Sequence, residues 1–190
     1  MREVLILGHG PPIIDGNPNP RPRLPSTKVT TLDYVKWESI DVKWNLEKFP
    51  LPFRTNQFDE VWAFHVIEHV SRDRLDRLME EIHRITKKGG LVWIKVPFHS
   101  FFGAHHQDHK TEFIYTAFNK YEPTHTFHGE KKVGFWVRKK QINFGMYPQT
   151  KQFNWFFNPI VNAFPIFYER FFCWIFPCEE LEFDLETIKA

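Results

Sequence analysis

Residues 60–97 constrain the fold more than any other part of the chain. "EVWAFHVI" (60–67) is an aromatic and β-branched run of the kind that packs inside a sheet. In Arg74–Lys87, Leu75, Leu78, Met79, Ile82 and Ile85 recur at spacings of three and four and make one apolar helix face. Ser71 or Asp73 is placed to cap its start. Lys87 and Lys88 suit the negative end of the helix dipole, and Gly89-Gly90 is expected to stop it. "LVWIKVP" (91–97) follows as a second buried strand. Two buried strands joined through a helix form a crossover, and therefore a parallel sheet.

Further strands are expected at 3–7, 28–34, 39–42 and 133–144, with a half-buried closing strand at 180–188, where Leu181, Phe183 and Leu185 alternate with acidic residues. The first ends at Gly8-x-Gly10, a turn after which a nucleotide-binding fold places a helix. Here Pro11, Pro12, Pro18, Pro20, Pro22 and Pro25 follow instead. Proline removes a backbone donor and restricts its predecessor, so 11–26 reads as an irregular loop. Residues 112–121 read as a short helix, and 158–176 as a very apolar helix interrupted at Pro165.

A chain of 190 residues with net charge +2 reads as one domain, 1–190, with no strong nucleic-acid signal. Cys173 and Cys178 suit packed thiols in a reducing compartment. The opening "MREVLILGHG" enters a strand directly, and on that ground the chain is read as cytoplasmic. The basic cluster Lys131, Lys132, Arg138, Lys139 and Lys140 reads as a solvated sheet edge. The aromatic region 153–177 contains Glu169, Arg170 and several prolines, so it is not read as a membrane span. It is expected to be a helical cap within the domain, with a homo-oligomer interface as the sharper alternative.

"FPLPFRTNQFDEVWAFHVIEHV", followed by "KKGGLVWIKVP", carries the most specific pattern. It resembles the class I S-adenosylmethionine (SAM)-dependent methyltransferases, in particular a short methyltransferase type 11-like group acting on small molecules. Phe53, Phe58, Asp59, Glu68, His69, Gly89 and Gly90 stand at the matching places. The resemblance implies an α/β, Rossmann-like, mostly parallel sheet with helices on both faces. The first helix would be replaced by the proline-rich loop. It also implies SAM as cofactor and methyl transfer to oxygen or nitrogen of a small-molecule or glycan-like acceptor.

In such a sheet ligands lie beyond the carboxyl ends of the strands. The ends available are Leu7, Gly8, His9 and Gly10; Asp33 and Tyr34; Asn45 and Leu46; and Phe64 and His65. Asp33 can accept two hydrogen bonds from a ribose diol. By resemblance, Gly8 and Gly10 let the backbone approach the methionine portion, and Asn45-Leu46 flanks the adenine, where the family more often has Asp. His65, His69, His106 and His109 are the candidate proton acceptors on the acceptor side. No metal ligand is assigned.

Two other readings stay open. The chain could be a non-catalytic binding or partner protein of the same fold. It could instead be a metal-dependent enzyme using His105, His106, Asp108 and His109.

Overall fold

The computed structural model of the chain describes residues 1–8, 26–36, 40–124 and 133–189. The strands are β1 (Arg2–Leu7), β2 (Thr27–Asp33), β3 (Val42–Lys43), β4 (Phe58–Phe64), β5 (Thr86–Pro97), β6 (Gly134–Asn143) and β7 (Glu180–Ile188). They form one sheet in the order β3-β2-β1-β4-β5-β7-β6. Every neighbouring pair is parallel except those of β7, which runs antiparallel to both β5 and β6. The order of strands reverses between β1 and β4. That reversal opens a crevice at the carboxyl ends, where connections leave in opposite directions.

The Rossmann-like arrangement read from the sequence is the one observed, with helices flanking the sheet. The proline-rich segment, His9 and Gly10 lie outside the described residues. Helix α1 (Arg72–Ile85) buries Leu75, Leu78, Met79, Ile82 and Ile85, the face the spacing predicts. Its end differs from expectation. The helix stops at Ile85, and Lys87 to Gly90 already belong to β5. Gly90 serves the sheet there: a Cβ at this position would lie 2.9 Å from the Asp59 carbonyl oxygen. Lys87 pairs with Asp59 at 2.8 Å, so these residues lock β5 to β4 instead of closing a helix.

Residues 112–121 contain no α-helix. Phe113 bridges Phe98 in strand fashion, and only Asn119–Tyr121 forms a 3₁₀ turn. Phe113, Phe118 and Tyr121 are all buried against the main core, so long-range packing overrides the local helical pattern.

The aromatic region divides into a one-turn helix α2 (Pro148–Lys151), α3 (Asn154–Ala163) and α4 (Pro165–Phe171). Pro165 begins a new helix, where its missing N–H has no partner to lose. Helix α3 covers the end of the edge strand β6 through an asparagine ladder. Asn162 accepts from the Ile142 N–H at 2.8 Å and donates to its carbonyl at 2.7 Å. Asn158 accepts from the Phe144 N–H at 2.8 Å, and Asn154 from the Gly145 N–H at 2.7 Å. Spaced four apart, these amides stand in for the missing neighbouring strand and leave that stretch unable to recruit another chain. The other side of α3 and α4 is apolar and open to solvent, with Trp155 77% and Phe164 72% exposed.

Of the basic cluster, Lys131 and Lys132 lie outside the described residues, and two others are paired across the sheet. Arg138 reaches Glu186 at 2.6 Å and Lys139 reaches Glu182 at 2.9 Å, both on β7.

Asn158→Ala is expected to lower stability by about 1–3 kcal/mol, because it leaves the Phe144 N–H without its partner. Chemical denaturation measures this, and unchanged stability would mean the ladder contributes nothing.

Candidate functional site

The crevice at the reversal point holds a cavity of about 510 Å³. That volume is ordinary for a small-molecule site. Among the described residues its lining comes from the ends of β1 (Gly8), β2 (Leu32, Asp33, Tyr34) and β4 (His65, Val66), the turn Asn45–Glu47, and His69, Val70, Asp108 and Lys110. Seven residues expected at a cofactor or acceptor site therefore meet at one place: Gly8, Asp33, Tyr34, Asn45, Leu46, His65 and His69.

Each is held by local chemistry. Gly8 has φ +68°, and a Cβ there would lie 2.3 Å from a methyl of Val66. Only glycine combines that backbone with that approach. Asp33 accepts from the Val35 N–H at 2.9 Å, and its carbonyl takes the Trp44 N–H at 2.8 Å, so it shapes the turn after β2 as well as facing the cavity. Asn45 Oδ1 accepts from the Glu47 N–H at 2.8 Å, which leaves its NH₂ group as the donor for a ligand.

Glu47, which sequence reasoning missed, ties this wall to α1. Its carboxylate accepts from the Ser71 N–H at 2.7 Å and hydroxyl at 2.8 Å, and Lys110 Nζ lies at 3.1 Å. These donors, the Ser71 N–H first, hold the Glu47 carboxyl at about 2, well below the carboxylate range. Ser71 is the N-cap residue of α1 but does not cap with its own side chain. The acidic group at the helix start is supplied from a distant loop instead.

The structure does not bring every predicted residue to the cavity. Leu7 is fully buried in the core. Phe64 packs beside Trp62, ring centroids 5.4 Å apart, with Lys95 over its face. Alternation along a strand sends these side chains away from the one that faces the crevice. His106 is exposed beside Asp108 at 3.7 Å, and His105 bonds Glu112 at 3.0 Å. His105, His106, Asp108 and His109 therefore do not converge as a ligand set of their own. His109 turns instead toward His69, ring centroids 4.8 Å apart.

His65, whose position suggested a proton acceptor, is gripped by two carboxylates. Its backbone is left-handed, φ +50°, and the ring lies between Glu180 (3.0 Å) and Glu68 (3.7 Å). Burial opposes its charge, but the bonds to the two carboxylates outweigh burial and lift its pKa to about 9. That shift favours the imidazolium at neutral pH, a form with no lone pair to offer. Burial would raise Glu180, yet the bond from His65 and the charge of Lys95 hold it below its usual range.

Residues 26–94 match the family described as a methyltransferase domain. Solved structures similar over the whole chain include the [4+2]-cyclase SpnF, with TM-score 0.58 and 12% identity over 100% of this chain and 75% of that one. The N-methyltransferase NodS from Bradyrhizobium japonicum WM9 gives TM-score 0.58 and 8% identity over 99% and 86%. NodS in complex with S-adenosyl-L-homocysteine gives 0.56 and 9% over 99% and 79%. The chain therefore has the fold of class I methyltransferases. No curated protein sequence matches it. Within that methyltransferase fold, the Glu47, Asp108 and Lys110 walls lay outside the strand-end rule. They come from loops whose partners are distant in sequence.

A histidine whose pKa rises on folding contributes stability that is complete below its unfolded value and lost as pH climbs through the folded one. The thermal midpoint is therefore expected to fall between pH 6.5 and about 9. His65→Gln should flatten that slope. A parent slope that survives the substitution would assign it to another group.

Proposed function

We propose that the cavity binds SAM and that the protein transfers a methyl group to oxygen or nitrogen of a small-molecule or glycan-like acceptor. The observation that carries this reading is the convergence of Gly8, Asp33, Asn45 and Leu46 on one cavity at the strand-order reversal. The donor set fits the group. The Gly8 turn accepts close approach of the methionine portion, and Asp33 at the end of β2 suits a ribose diol. Leu46 and the Asn45 amide suit the face and edge of an adenine. NodS, solved with S-adenosyl-L-homocysteine, supports the same assignment.

Bound SAM would supply an electrophilic methyl on a positively charged sulfur. The chain's own part is orientation and exclusion of water, which bring an acceptor atom in line with that methyl. His69 Nδ1 donates to the Asp108 carbonyl at 3.2 Å, which leaves Nε2 as the nitrogen able to take a proton from the acceptor. His65, already protonated, acts as a positioning residue that anchors the β4 turn. SpnF shares this fold and is a [4+2]-cyclase, so the fold alone does not fix the reaction, and the reading rests on the cavity.

The sheet runs from residue 2 to residue 188, which supports reading 1–190 as one domain. Among the described residues no helix is long and apolar enough to cross a membrane. The exposed aromatic side of α3 and α4 supports self-association, and light scattering on the eluting protein is expected to give a dimer mass; a monomer at high concentration would remove that role.

Calorimetric titration with S-adenosyl-L-homocysteine is expected to show micromolar binding. Asp33→Ala should weaken it by tenfold or more, and Gly8→Val should abolish it by filling the turn. A folded protein that does not bind at millimolar ligand would overturn the assignment.

A further inference from the structure

Beside the cavity, which His69 lines, Glu68 and His109 come together with that histidine. The three come from two segments clasped by the backbone. The Glu68 carbonyl accepts from the N–H groups of Lys110 at 2.8 Å and Thr111 at 3.1 Å, and the Thr111 hydroxyl donates to the Val70 carbonyl at 2.8 Å. One ligand atom from each of the three side chains lies within 4.8 Å of the others. Both imidazoles are fixed in the same sense. His69 Nδ1 faces the Asp108 carbonyl and His109 Nδ1 the Ala104 carbonyl, each at 3.2 Å. A carbonyl only accepts, so each Nδ1 carries the proton and each Nε2 keeps its lone pair. A backbone carbonyl behind the far ring nitrogen is the arrangement that orients a metal-binding histidine.

The independent observation is Glu68. Its side chain is 2% exposed, and while Oε1 faces His65 at 3.7 Å, Oε2 is buried without a hydrogen-bond partner among the described residues. A buried carboxylate oxygen with nothing to accept from is costly, and a cation beside it removes the cost.

We propose that Glu68, His69 and His109 form a site for a divalent first-row transition metal ion, zinc being the natural occupant. Two imidazoles and one carboxylate are the donor set such ions take, and three protein ligands leave a coordination position open. His69 and Asp108 line the cavity, so the site adjoins it. Bonds of about 2.0–2.2 Å bring tetrahedral ligands to roughly 3.4 Å from one another, so the side chains close by about an ångström on binding. The charges nearby do not forbid an ion. His65 keeps Glu180 as its nearer partner at 3.0 Å, and Lys110 is held on Glu47 at 3.1 Å. The lone pair of His69 would then serve the metal, and an acceptor hydroxyl coordinated to the ion would have its pKa lowered and lose its proton to solvent water. The metal assignment itself does not depend on the methyl-transfer reading.

The test uses the full chain, stripped with a chelator, then titrated with zinc chloride by calorimetry and with cobalt(II) by visible absorption. One ion per chain is expected. His69→Ala and His109→Ala should each weaken zinc binding at least tenfold, and Glu68→Gln, which keeps the shape but not the charge, should do the same. His105→Ala, in the same loop but bonded to Glu112, should bind as the parent does. Circular dichroism checks that each variant is folded. No binding at micromolar zinc, or equal affinity in the parent and the folded variants, overturns the proposal, as does an equal loss in His105→Ala. Titrating the same preparation with S-adenosyl-L-homocysteine separates this result from the fate of the cofactor assignment.

Discussion

The carboxylate of Glu180 is the group on which the carboxyl end of the sheet depends. It lies at the start of β7, almost fully buried, and takes His65 from the end of β4 at 3.0 Å, Lys95 from β5 at 3.3 Å and Asn143 from the end of β6 at 2.8 Å. One side chain thus fastens β7 to three other strands directly beneath the cavity. A buried charge is tolerable only while its partners stay in place, so the network is cooperative in a specific sense. Losing any one member strands the others in a poorly solvating interior. It also explains how the left-handed turn at His65 persists, since the ring that the turn presents is clamped from both sides.

Around that anchor the site is assembled from pieces far apart in the chain. Glu47 joins the turn after β3 to the start of α1 and to the loop bearing Lys110. Two backbone hydrogen bonds join that loop to Glu68. Arg84 and Glu81 of α1 fix the "LPF" turn, Glu81 accepting from the Leu51 N–H at 2.8 Å and Arg84 donating to the Phe53 carbonyl at 2.9 Å. The motif residues that look like a local signature are therefore mostly brackets that hold α1 against the sheet. The residues that face the cavity are fewer and come from strand ends.

This division accounts for what could be read in advance. Periodicity is local, so β1, β4, α1 and the alternating Leu181, Phe183 and Leu185 of β7 were legible in the sequence. The strand-end rule followed from topology and found Gly8, Asp33, Asn45 and His65. The same rule over-reached at Leu7 and Phe64, because it names backbone positions and not the face a side chain takes. Gly89-Gly90 looked like a helix stop, when Gly89 takes a left-handed turn within β5 and Gly90 lets that strand lie close to the Asp59 carbonyl of β4. The asparagine ladder of α3 had no local signal, since amides four apart on a helix are unremarkable until an edge strand lies beside them. The partner of His65 was out of reach for a similar reason: Glu180 lies 115 positions away.

The contact between Gly8 and Val66 has an evolutionary consequence. With Val66 methyls filling the space where a Cβ would stand, the two positions form one steric unit across the β1–β4 seam. Shrinking the valine would open room without relieving the left-handed backbone at 8, and enlarging the glycine would do neither. Position 8 therefore cannot drift, and no change at 66 rescues it. Among homologous chains that keep this crevice, position 8 should therefore stay glycine whatever residue stands at 66 and whatever acceptor each has come to use.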